Sequence, residues 1–247
     1  MKKAIIIGGS NGIGLAIGLK LIELGYFLEI CDKVRPEDGI LKKDKYYFNY
    51  CDLNYFDEDL FINLCDDKDT EILMITAGIG RIADCQFHHI SEIEKIFIID
   101  TVNIIKIFRI FYERIMNSPS FYVGVMGSVA GLLCSPSASV YAAAKAALVR
   151  FVESVNIELE EYGSKNRILN VSPASFKGSK FYGKNNDISL MESEAEWLAS
   201  LSKDIPLHIS RYFPRYKSDI ASTPVETIYR LRDAAQKYLK NVHVGNC

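Results

Sequence analysis

The chain of 247 residues is poor in cysteine and histidine, and it has no strong excess of charge of either sign. Its six cysteines are scattered without a Cys-x-x-Cys pair, which argues against a disulfide scaffold, and its four histidines lack metal-ligand spacing. The sequence therefore predicts no bound metal. Lys and Arg number 29 against 31 Asp and Glu, so the basic field of many nucleic-acid binders is missing and we expect no nucleic-acid partner.

Long hydrophobic runs are missing as well. The longest uncharged stretch, residues 115–144, contains two prolines and three glycines, which argues against a membrane-spanning helix. The apolar run that follows Lys2 and Lys3 ends at Gly8 and is too short for the apolar region of a signal peptide, about 7–15 residues. We expect no membrane association and a cytoplasmic location.

The composition, 49% hydrophobic and 24% charged residues, is typical of a globular protein. Short apolar segments alternate with amphipathic ones. The predicted strands are residues 4–7, 26–31, 46–51, 72–76, 121–126 and 168–171, and the predicted helices are residues 12–24, 91–117 and 141–162. Strands that are apolar throughout and separated by helices favour a parallel sheet covered on both faces. We therefore expect an α/β fold: a single Rossmann-like domain over residues 1–247, with a doubly wound sheet of about seven strands.

The last third of the chain follows a different pattern. Residues 177–222 begin with a polar stretch rich in Gly, Asn, Ser and Lys, and we predict a mobile loop or insert on the substrate side of the domain. Residues 223–247 begin with Thr223-Pro224, a suitable helix start, and an apolar stripe follows. The sequence predicts a C-terminal helix and then a strand at 242–244, which would supply the seventh strand of the sheet.

A glycine-rich turn follows the first predicted strand and leads directly into a helix. The residues predicted to bind a cofactor in this turn are Gly8, Ser10, Asn11, Gly12, Ile13 and Gly14. Glycines let the backbone approach a ligand closely, and the N–H groups at a helix start favour a pyrophosphate. A P-loop is excluded because no Gly-Lys-[Ser/Thr] is present.

Two aspartates follow the next two predicted strands. Asp32 can accept hydrogen bonds from both ribose hydroxyls of an adenosine, and its charge disfavours a 2′-phosphate. Asp52 is suited to the amino group of adenine. The sequence predicts NAD as the cofactor, and NADP stays possible because Lys33 and Arg35 follow Asp32.

Tyr141 and Lys145 lie four residues apart in a strongly helical segment and so share one helix face. A nearby ammonium stabilises a phenolate and lowers its pKa from about 10, which would make Tyr141 a usable acid or base. Ser128, just after the fifth strand, could donate a hydrogen bond to a substrate oxygen.

These motifs occur in the order and spacing of the short-chain dehydrogenase/reductase family, which the chain resembles from residue 2 to about residue 181. The segments that carry the resemblance are the loop 8–14, Cys51-Asp52-Leu53, Ala77-Gly78, Val102-Asn103, the Tyr141/Lys145 pair and Asn170-Val171-Ser172-Pro173. The resemblance implies that Leu53, Ala77, Gly78 and Pro173 contact the cofactor. Ile75 and Thr76 stand where the family usually has two asparagines, and Ala174 stands where it usually has glycine.

The resemblance also implies a catalytic set and an activity. Tyr141 would be the acid/base, Lys145 would assist it and bind the nicotinamide ribose, Ser128 would orient the substrate, and Asn103 would hold a water in a proton relay. The implied reaction is the NAD(P)-dependent interconversion of an alcohol and a ketone or aldehyde of small size. A catalytically silent dinucleotide-binding sensor or scaffold on the same fold is the alternative. Helices 102–111 and 146–155 are apolar on more than one face, so we expect a homodimer or homotetramer.

Residues 195–247 are similar to the last part of radical-SAM activating enzymes. The Cys-x-x-x-Cys-x-x-Cys motif that binds the iron–sulfur cluster in those enzymes is absent from this sequence. We therefore expect neither an iron–sulfur cluster nor radical chemistry.

Overall fold

The computed structural model describes residues 2–81, 83–133, 137–173, 187–211 and 222–245. The chain divides into two compact units, Met1–Phe181 and Tyr182–Cys247, where the sequence predicted a single domain. Each unit has a sheet and buried apolar side chains of its own, which is the physical reason for the division.

The first unit alternates strands and helices much as the sequence predicts. Its elements are β1 (Lys3–Ile7), α1 (Gly12–Glu23), β2 (Phe27–Asp32), β3 (Tyr46–Tyr50), α2 (Glu58–Asp66), β4 (Thr70–Ile75), α3 (Ile90–Phe97), a π-helical segment (Ile98–Val102), α4 (Asn103–Asn117), β5 (Tyr122–Met126), α5 (Ser139–Glu161) and β6 (Ile168–Val171). Helix α2 was not predicted. Asp57 caps it by accepting a hydrogen bond from the Leu60 N–H at 3.0 Å, and its apolar face buries Phe61 and Leu64.

Six parallel strands form the central sheet in the order β3-β2-β1-β4-β5-β6. This confirms the predicted α/β fold with a doubly wound parallel sheet. The chain leaves β1 toward β2 on one side and later returns to β4 on the other side, so the order reverses between β1 and β4. In such sheets a ligand crevice forms at the carboxyl ends of the two strands that flank the reversal.

The apolar residues of β1 explain why this strand is central. Ile5 and Ile7 lie in one core and Ala4 and Ile6 in the other, as alternation along a strand requires. The larger core packs helices α2, α4 and α5 on the sheet, and the smaller one packs α1. Because β1 is buried on both faces, its end can hold the following loop in a defined position.

The second unit contains α6 (Asp187–Leu201), β7 (Leu207–Ser210), α7 (Val225–Ala235) and β8 (Val242–Gly245). Helix α6 and strand β7 fall inside the predicted mobile loop 177–222, so most of the described part of that segment is helix or strand. Residues 177–186 and 212–221 of the predicted loop lie outside the described residues.

The predicted seventh strand does not join the central sheet. Residues 242–245 form β8, which pairs in parallel with β7 in a separate two-stranded sheet. The sequence analysis treated residues 207–210 as part of a loop and so missed the local partner. Helix α7 connects the two strands in the chain. Ile209 and Val242 of the strands are buried with Ile228 and Leu239. The backbone groups of β8 therefore find hydrogen-bond partners in β7, within the same unit.

Within the described ranges, no helix has the length and apolar content that crossing a bilayer requires.

Candidate active site

The glycine loop after β1 packs closely on the residues that follow β4. Gly8 has φ +84°, a conformation that favours glycine. A Cβ atom on Gly8 would lie 2.5 Å from the backbone nitrogen of Ala77, and a Cβ on Gly14 would overlap the Gly8 carbonyl oxygen and Thr76 Oγ1. Side chains are therefore excluded at both positions, which explains two of the glycines in the motif. The contact also brings the predicted cofactor residues Gly8, Gly14 and Ala77 together.

Thr76 ties the same two segments together through its hydroxyl. Its Oγ1 lies 3.0 Å from the carbonyl oxygens of both Ile7 and Gly8, to which it can donate a hydrogen bond. The backbone N–H groups of Thr76 and Ala77 also donate to the Ile7 carbonyl, at 2.7 and 2.9 Å. Thr76 thus anchors the loop at a position where the family that the chain resembles usually has asparagine.

The first turn of α1 is arranged to receive an anion. Asn11 stands at the N-cap without a side-chain hydrogen bond to the turn, and the first turn contains no acidic residue. Gly12 has φ +54°, and the buried hydroxyl of Ser10 has no hydrogen-bond partner among the described residues. The first N–H groups of any helix have no partner within the helix, and together with a buried hydroxyl they fit the pyrophosphate of a dinucleotide.

Asp32, the last residue of β2, is held against the loop. Its carboxylate accepts hydrogen bonds from the backbone N–H groups of Ser10 at 3.1 Å and Lys33 at 2.8 Å. Arg35, one of the two basic residues that left NADP possible, packs its guanidinium 4.6 Å from the centre of the Phe48 ring. These hydrogen bonds hold the Asp32 carboxylate beside the glycine loop, and its contact with an adenosine ribose stays a prediction.

The turn 51–53, predicted to face adenine, is fastened on both sides. The Cys51 N–H donates to the Asp32 carbonyl at 2.9 Å, and Asp52 Oδ1 accepts from the Asn54 N–H at 2.9 Å. Burial raises the pKa of the Cys51 thiol to about 12, and the neighbouring Asp32 and Asp52 carboxylates add to the effect. Cys51 is therefore an inert part of the wall of this turn.

Tyr141 and Lys145 occupy one turn of α5 and are almost completely buried, with 4% and 2% of their surface exposed. Lys145 Nζ lies 5.8 Å from the centre of the Tyr141 ring, and it donates a hydrogen bond of 3.1 Å to the carbonyl of Met126 at the end of β5. The lysine therefore spans from the helix to the carboxyl edge of the sheet, beside its predicted partner.

Glycines make room for this lysine. A Cβ on Gly78 would come within 3.2 Å of Lys145 Nζ, and a Cβ on Gly131 would lie 2.8 Å from the Lys145 backbone. Gly78 directly follows Ala77, which touches the glycine loop. The predicted cofactor loop and the Tyr141–Lys145 pair are thus linked through two consecutive residues after β4.

Ser128 begins a short turn after β5. Its Oγ accepts a hydrogen bond from the Ala130 N–H at 3.1 Å. This bond uses an oxygen lone pair and not the O–H group, with which Ser128 can donate a hydrogen bond to a substrate oxygen. The next N–H, that of Val129, donates to the Pro173 carbonyl at 3.2 Å. The structure therefore brings Ser128 close to Pro173, while Ala174 lies outside the described residues.

Asn103, the first residue of α4, is buried and contacts the turn 51–53. The Asn103 side-chain amide donates to the Leu53 carbonyl at 2.7 Å, in the predicted adenine turn. This contact helps to hold the turn 51–53 against the start of α4. The Asn103 side-chain oxygen is buried and has no hydrogen-bond partner among the described residues, and its predicted place in a proton relay stays a prediction.

Asp100 forms an ion pair with Lys145, and the sequence analysis missed it. Asp100 is completely buried, and its Oδ2 lies 3.3 Å from Lys145 Nζ. Burial raises the pKa of Asp100, although the Lys145 ammonium and a hydrogen bond from the Ile79 N–H both act to lower it. A signal was present: Asp100 is the only charged residue between Lys95 and Lys106 in the sequence, and a charge in an apolar segment needs a partner.

No group of three or more potential metal ligands occurs in the part of the chain that the structure describes. The absence of a metal cofactor stays a prediction.

The strand order, the glycine loop and the carboxylate at the end of β2 together define a Rossmann-like dinucleotide-binding fold. The family model described as short chain dehydrogenase matches residues 2–187. The chain therefore belongs to the short-chain dehydrogenase family.

Individual relatives agree with this assignment. The chain is 26% identical to Dehydrogenase RED2 of Cochliobolus heterostrophus over 65% of this chain and 62% of the relative. It is 28% identical to the 3-oxoacyl-[acyl-carrier-protein] reductase FabG of Rickettsia prowazekii, over 66% of this chain and 68% of the relative. The match to the uncharacterized oxidoreductase TDA5 of Saccharomyces cerevisiae is 29% identical and covers 72% of this chain but 56% of the relative. The chain thus spans about half to two thirds of the length of these relatives.

Solved structures establish the same fold. An alcohol dehydrogenase from Thermococcus sibiricus, complexed with 5-hydroxy-NADP, superposes with a TM-score of 0.64 at 17% identity, over 76% of this chain and 83% of the other. A short chain dehydrogenase from Leptospira borgpetersenii with bound NAD+ gives a TM-score of 0.61 at 17% identity, over 72% of each chain.

Proposed function

We propose that this protein is an NAD(H)-dependent oxidoreductase that interconverts an alcohol and a ketone or aldehyde. The observation that carries the proposal is the buried Tyr141–Lys145 pair at the edge of the sheet where the glycine loop meets Ala77. A phenol beside an ammonium is a proton donor and acceptor suited to a carbonyl and its alcohol. Membership of the short-chain dehydrogenase family and the reductase names of the relatives support the same reaction class.

The residues present fit a nicotinamide dinucleotide. Its pyrophosphate suits the start of α1, where Asn11 makes no side-chain capping hydrogen bond, and the Ser10 hydroxyl, which has no hydrogen-bond partner in the described part of the chain. The Asp32 carboxylate suits the two ribose hydroxyls and disfavours a 2′-phosphate. The named structural neighbours include an NAD+ complex and an NADP-type complex, and the fixed charge of Asp32 favours NAD(H) in this chain.

Three side chains of the protein would take part in the reaction, namely those of Tyr141, Ser128 and Lys145. When bound, the nicotinamide supplies or accepts the hydride. In the reductive direction Tyr141 protonates the substrate oxygen, and Ser128 orients that oxygen by donating a hydrogen bond. Lys145 stabilises the phenolate that Tyr141 leaves behind and binds the nicotinamide ribose. Oxidation uses the same groups in reverse and therefore needs Tyr141 as phenolate.

The proposed function is tested by incubating the protein with NAD(H) and a panel of small alcohols, ketones and aldehydes while following the absorbance of the reduced cofactor. We expect turnover with at least one substrate and a rate of oxidation that rises with pH. Cofactor binding without turnover on any member of the panel would contradict the proposal and favour a silent sensor or scaffold.

Asp32→Ala tests the cofactor preference. Removing the carboxylate takes away hydrogen bonds to the ribose and the repulsion of a 2′-phosphate, so we expect the ratio of NADPH to NADH dissociation constants to fall about tenfold or more. Fluorescence titration with both cofactors measures this ratio. Asp38→Ala removes an exposed carboxylate from the same loop and should leave the ratio unchanged. Tighter binding of NADPH than of NADH by the unsubstituted protein would contradict the assignment of NAD(H).

Assembly into a homodimer or homotetramer is a further part of the proposal. The exposed positions of α5 include the small or apolar residues Ala143, Ala147 and Ile157, together with charged residues such as Arg150 and Glu153. The exposed face of α4 is more polar than the sequence suggested, because it carries Lys106 and Arg109. We expect light scattering at micromolar concentration to give at least twice the mass of one chain, and a monomeric mass would refute the expectation.

A further inference from the structure

Asp100 is a completely buried carboxylate that the proposed mechanism does not use. It lies in the π-helical segment Ile98–Val102, between α3 and α4. A buried charge is strongly disfavoured unless other groups compensate it. Asp100 has two such contacts: Oδ1 accepts a hydrogen bond of 2.8 Å from the Ile79 N–H, and Oδ2 lies 3.3 Å from Lys145 Nζ.

Several elements of the described part of the chain contact Lys145. The π-helical segment contributes the Asp100 carboxylate, β5 contributes the uncharged Met126 carbonyl, and α5 contributes the ring of Tyr141. The loop after β4 contributes Gly78, which bears no side chain. Asp100 is thus the negative charge in contact with the ammonium among the described residues.

This arrangement alters what Lys145 can do for Tyr141. An isolated ammonium in a buried site strongly favours a phenolate at short range, because the interior screens charges weakly. When the ammonium is paired with a carboxylate, the two charges partly cancel, and the pair favours the phenolate less than the ammonium alone would. A carboxylate can also accept the Ile79 N–H with one oxygen and form an ion pair with Lys145 through the other, whereas an amide has a single, uncharged acceptor oxygen. Asp100 therefore affects both the net charge near Tyr141 and the position of the Lys145 ammonium.

We propose that Asp100 is a positioning residue that holds the Lys145 ammonium and, by compensating its charge, raises the pH at which Tyr141 becomes a phenolate. The inference deepens the proposed function, on which it rests for the role of Tyr141. It predicts that oxidation in this protein needs a higher pH than it would with an uncharged residue at position 100.

Asp100→Asn tests the inference in the full chain without any substrate. Tyrosinate absorbance is followed against pH for Asp100→Asn and for the unsubstituted protein, each compared with the same chain carrying Tyr141→Phe. The difference isolates Tyr141 from the other tyrosines. We expect the midpoint for Tyr141 to be about one pH unit lower in Asp100→Asn, because the ammonium is no longer compensated.

Two variants separate this effect from a structural one. Asp100→Glu keeps the negative charge and should return the midpoint toward that of the unsubstituted protein. Glu113→Gln removes a carboxylate from the exposed face of α4 and should leave the midpoint unchanged. Should Asp100→Asn fail to fold, Asp100→Ser provides a small uncharged replacement for the same titration, with the same expected shift.

A midpoint in Asp100→Asn that is unchanged or higher overturns the inference. That outcome is distinguishable from failure of the proposed function, since the titration needs neither cofactor nor substrate. A lowered midpoint in a protein that turns over no substrate would keep the inference and reject the oxidoreductase proposal. Where a substrate is found, the pH profile of oxidation should shift in the same direction and by a similar amount.

Discussion

Replacing Tyr141 by phenylalanine is expected to lower turnover about 10²-fold or more while cofactor binding stays nearly unchanged. The substitution keeps the buried ring in α5 and removes only the hydroxyl that would give its proton to the substrate oxygen. Turnover is measured on a substrate found in the panel assay, and cofactor affinity by fluorescence titration.

Tyr162→Phe is the matched control for this experiment. Tyr162 follows the last turn of α5 and is 72% exposed, so the loss of its hydroxyl should change neither measurement. If Tyr141→Phe retains near-normal turnover, Tyr141 is not the acid/base and the proposed mechanism fails. If it loses cofactor affinity to the same degree as turnover, the hydroxyl serves in binding and not in proton transfer.

Replacing Lys145 by methionine is expected to affect turnover, cofactor affinity and stability together. Turnover should fall about 10²-fold because the phenolate loses its ammonium, and cofactor affinity should fall about tenfold because the ribose loses a donor. The free energy of unfolding should drop by about 3 kcal/mol, since the substitution leaves the buried Asp100 carboxylate without its partner. Denaturant unfolding measures this last effect.

The double variant Asp100→Asn/Lys145→Met separates stability from chemistry. With both charges removed, no unpaired charge remains in the site, so most of the lost stability should return. Turnover should stay low, because the ammonium is still absent. Recovery of turnover in the double variant would show that Lys145 acts only by neutralising Asp100.

Local sequence patterns predicted those parts of the molecule that depend on neighbours along the chain. The run of β1, the glycine turn after it and the helix α1 follow one another within 23 residues, and each has its own signal in residue type and period. Tyr141 and Lys145 were predicted to share a face because residues four apart in a helix are neighbours. Helix α2 was missed, although its cap Asp57 and its buried Phe61 are local features.

Local sequence patterns did not identify Asp100, in the segment 98–103, as the ion-pair partner of Lys145. Asp100 and Asn103 are three residues apart, and family resemblance selected the asparagine. The structure turns Asp100 toward Lys145 and Asn103 toward the carbonyl of Leu53. A π-helical turn stands just before Asn103, and such a turn changes which residues share a face compared with a regular helix. The helical periodicity of the sequence does not predict where a π-helical turn occurs.

The sequence by itself determined the alternation of strands and helices, the glycine loop, the carboxylate at the end of β2 and the Tyr141–Lys145 pair, since all of these depend on short-range geometry. Only the tertiary structure decided that Asp100 meets Lys145 across 45 residues of chain, and that β8 pairs with β7 and not with the central sheet. Both outcomes depend on which distant groups satisfy a buried charge or an open strand edge. Which distant groups pair depends on the free energy of the whole packed unit. A local periodicity in the sequence therefore does not predict it.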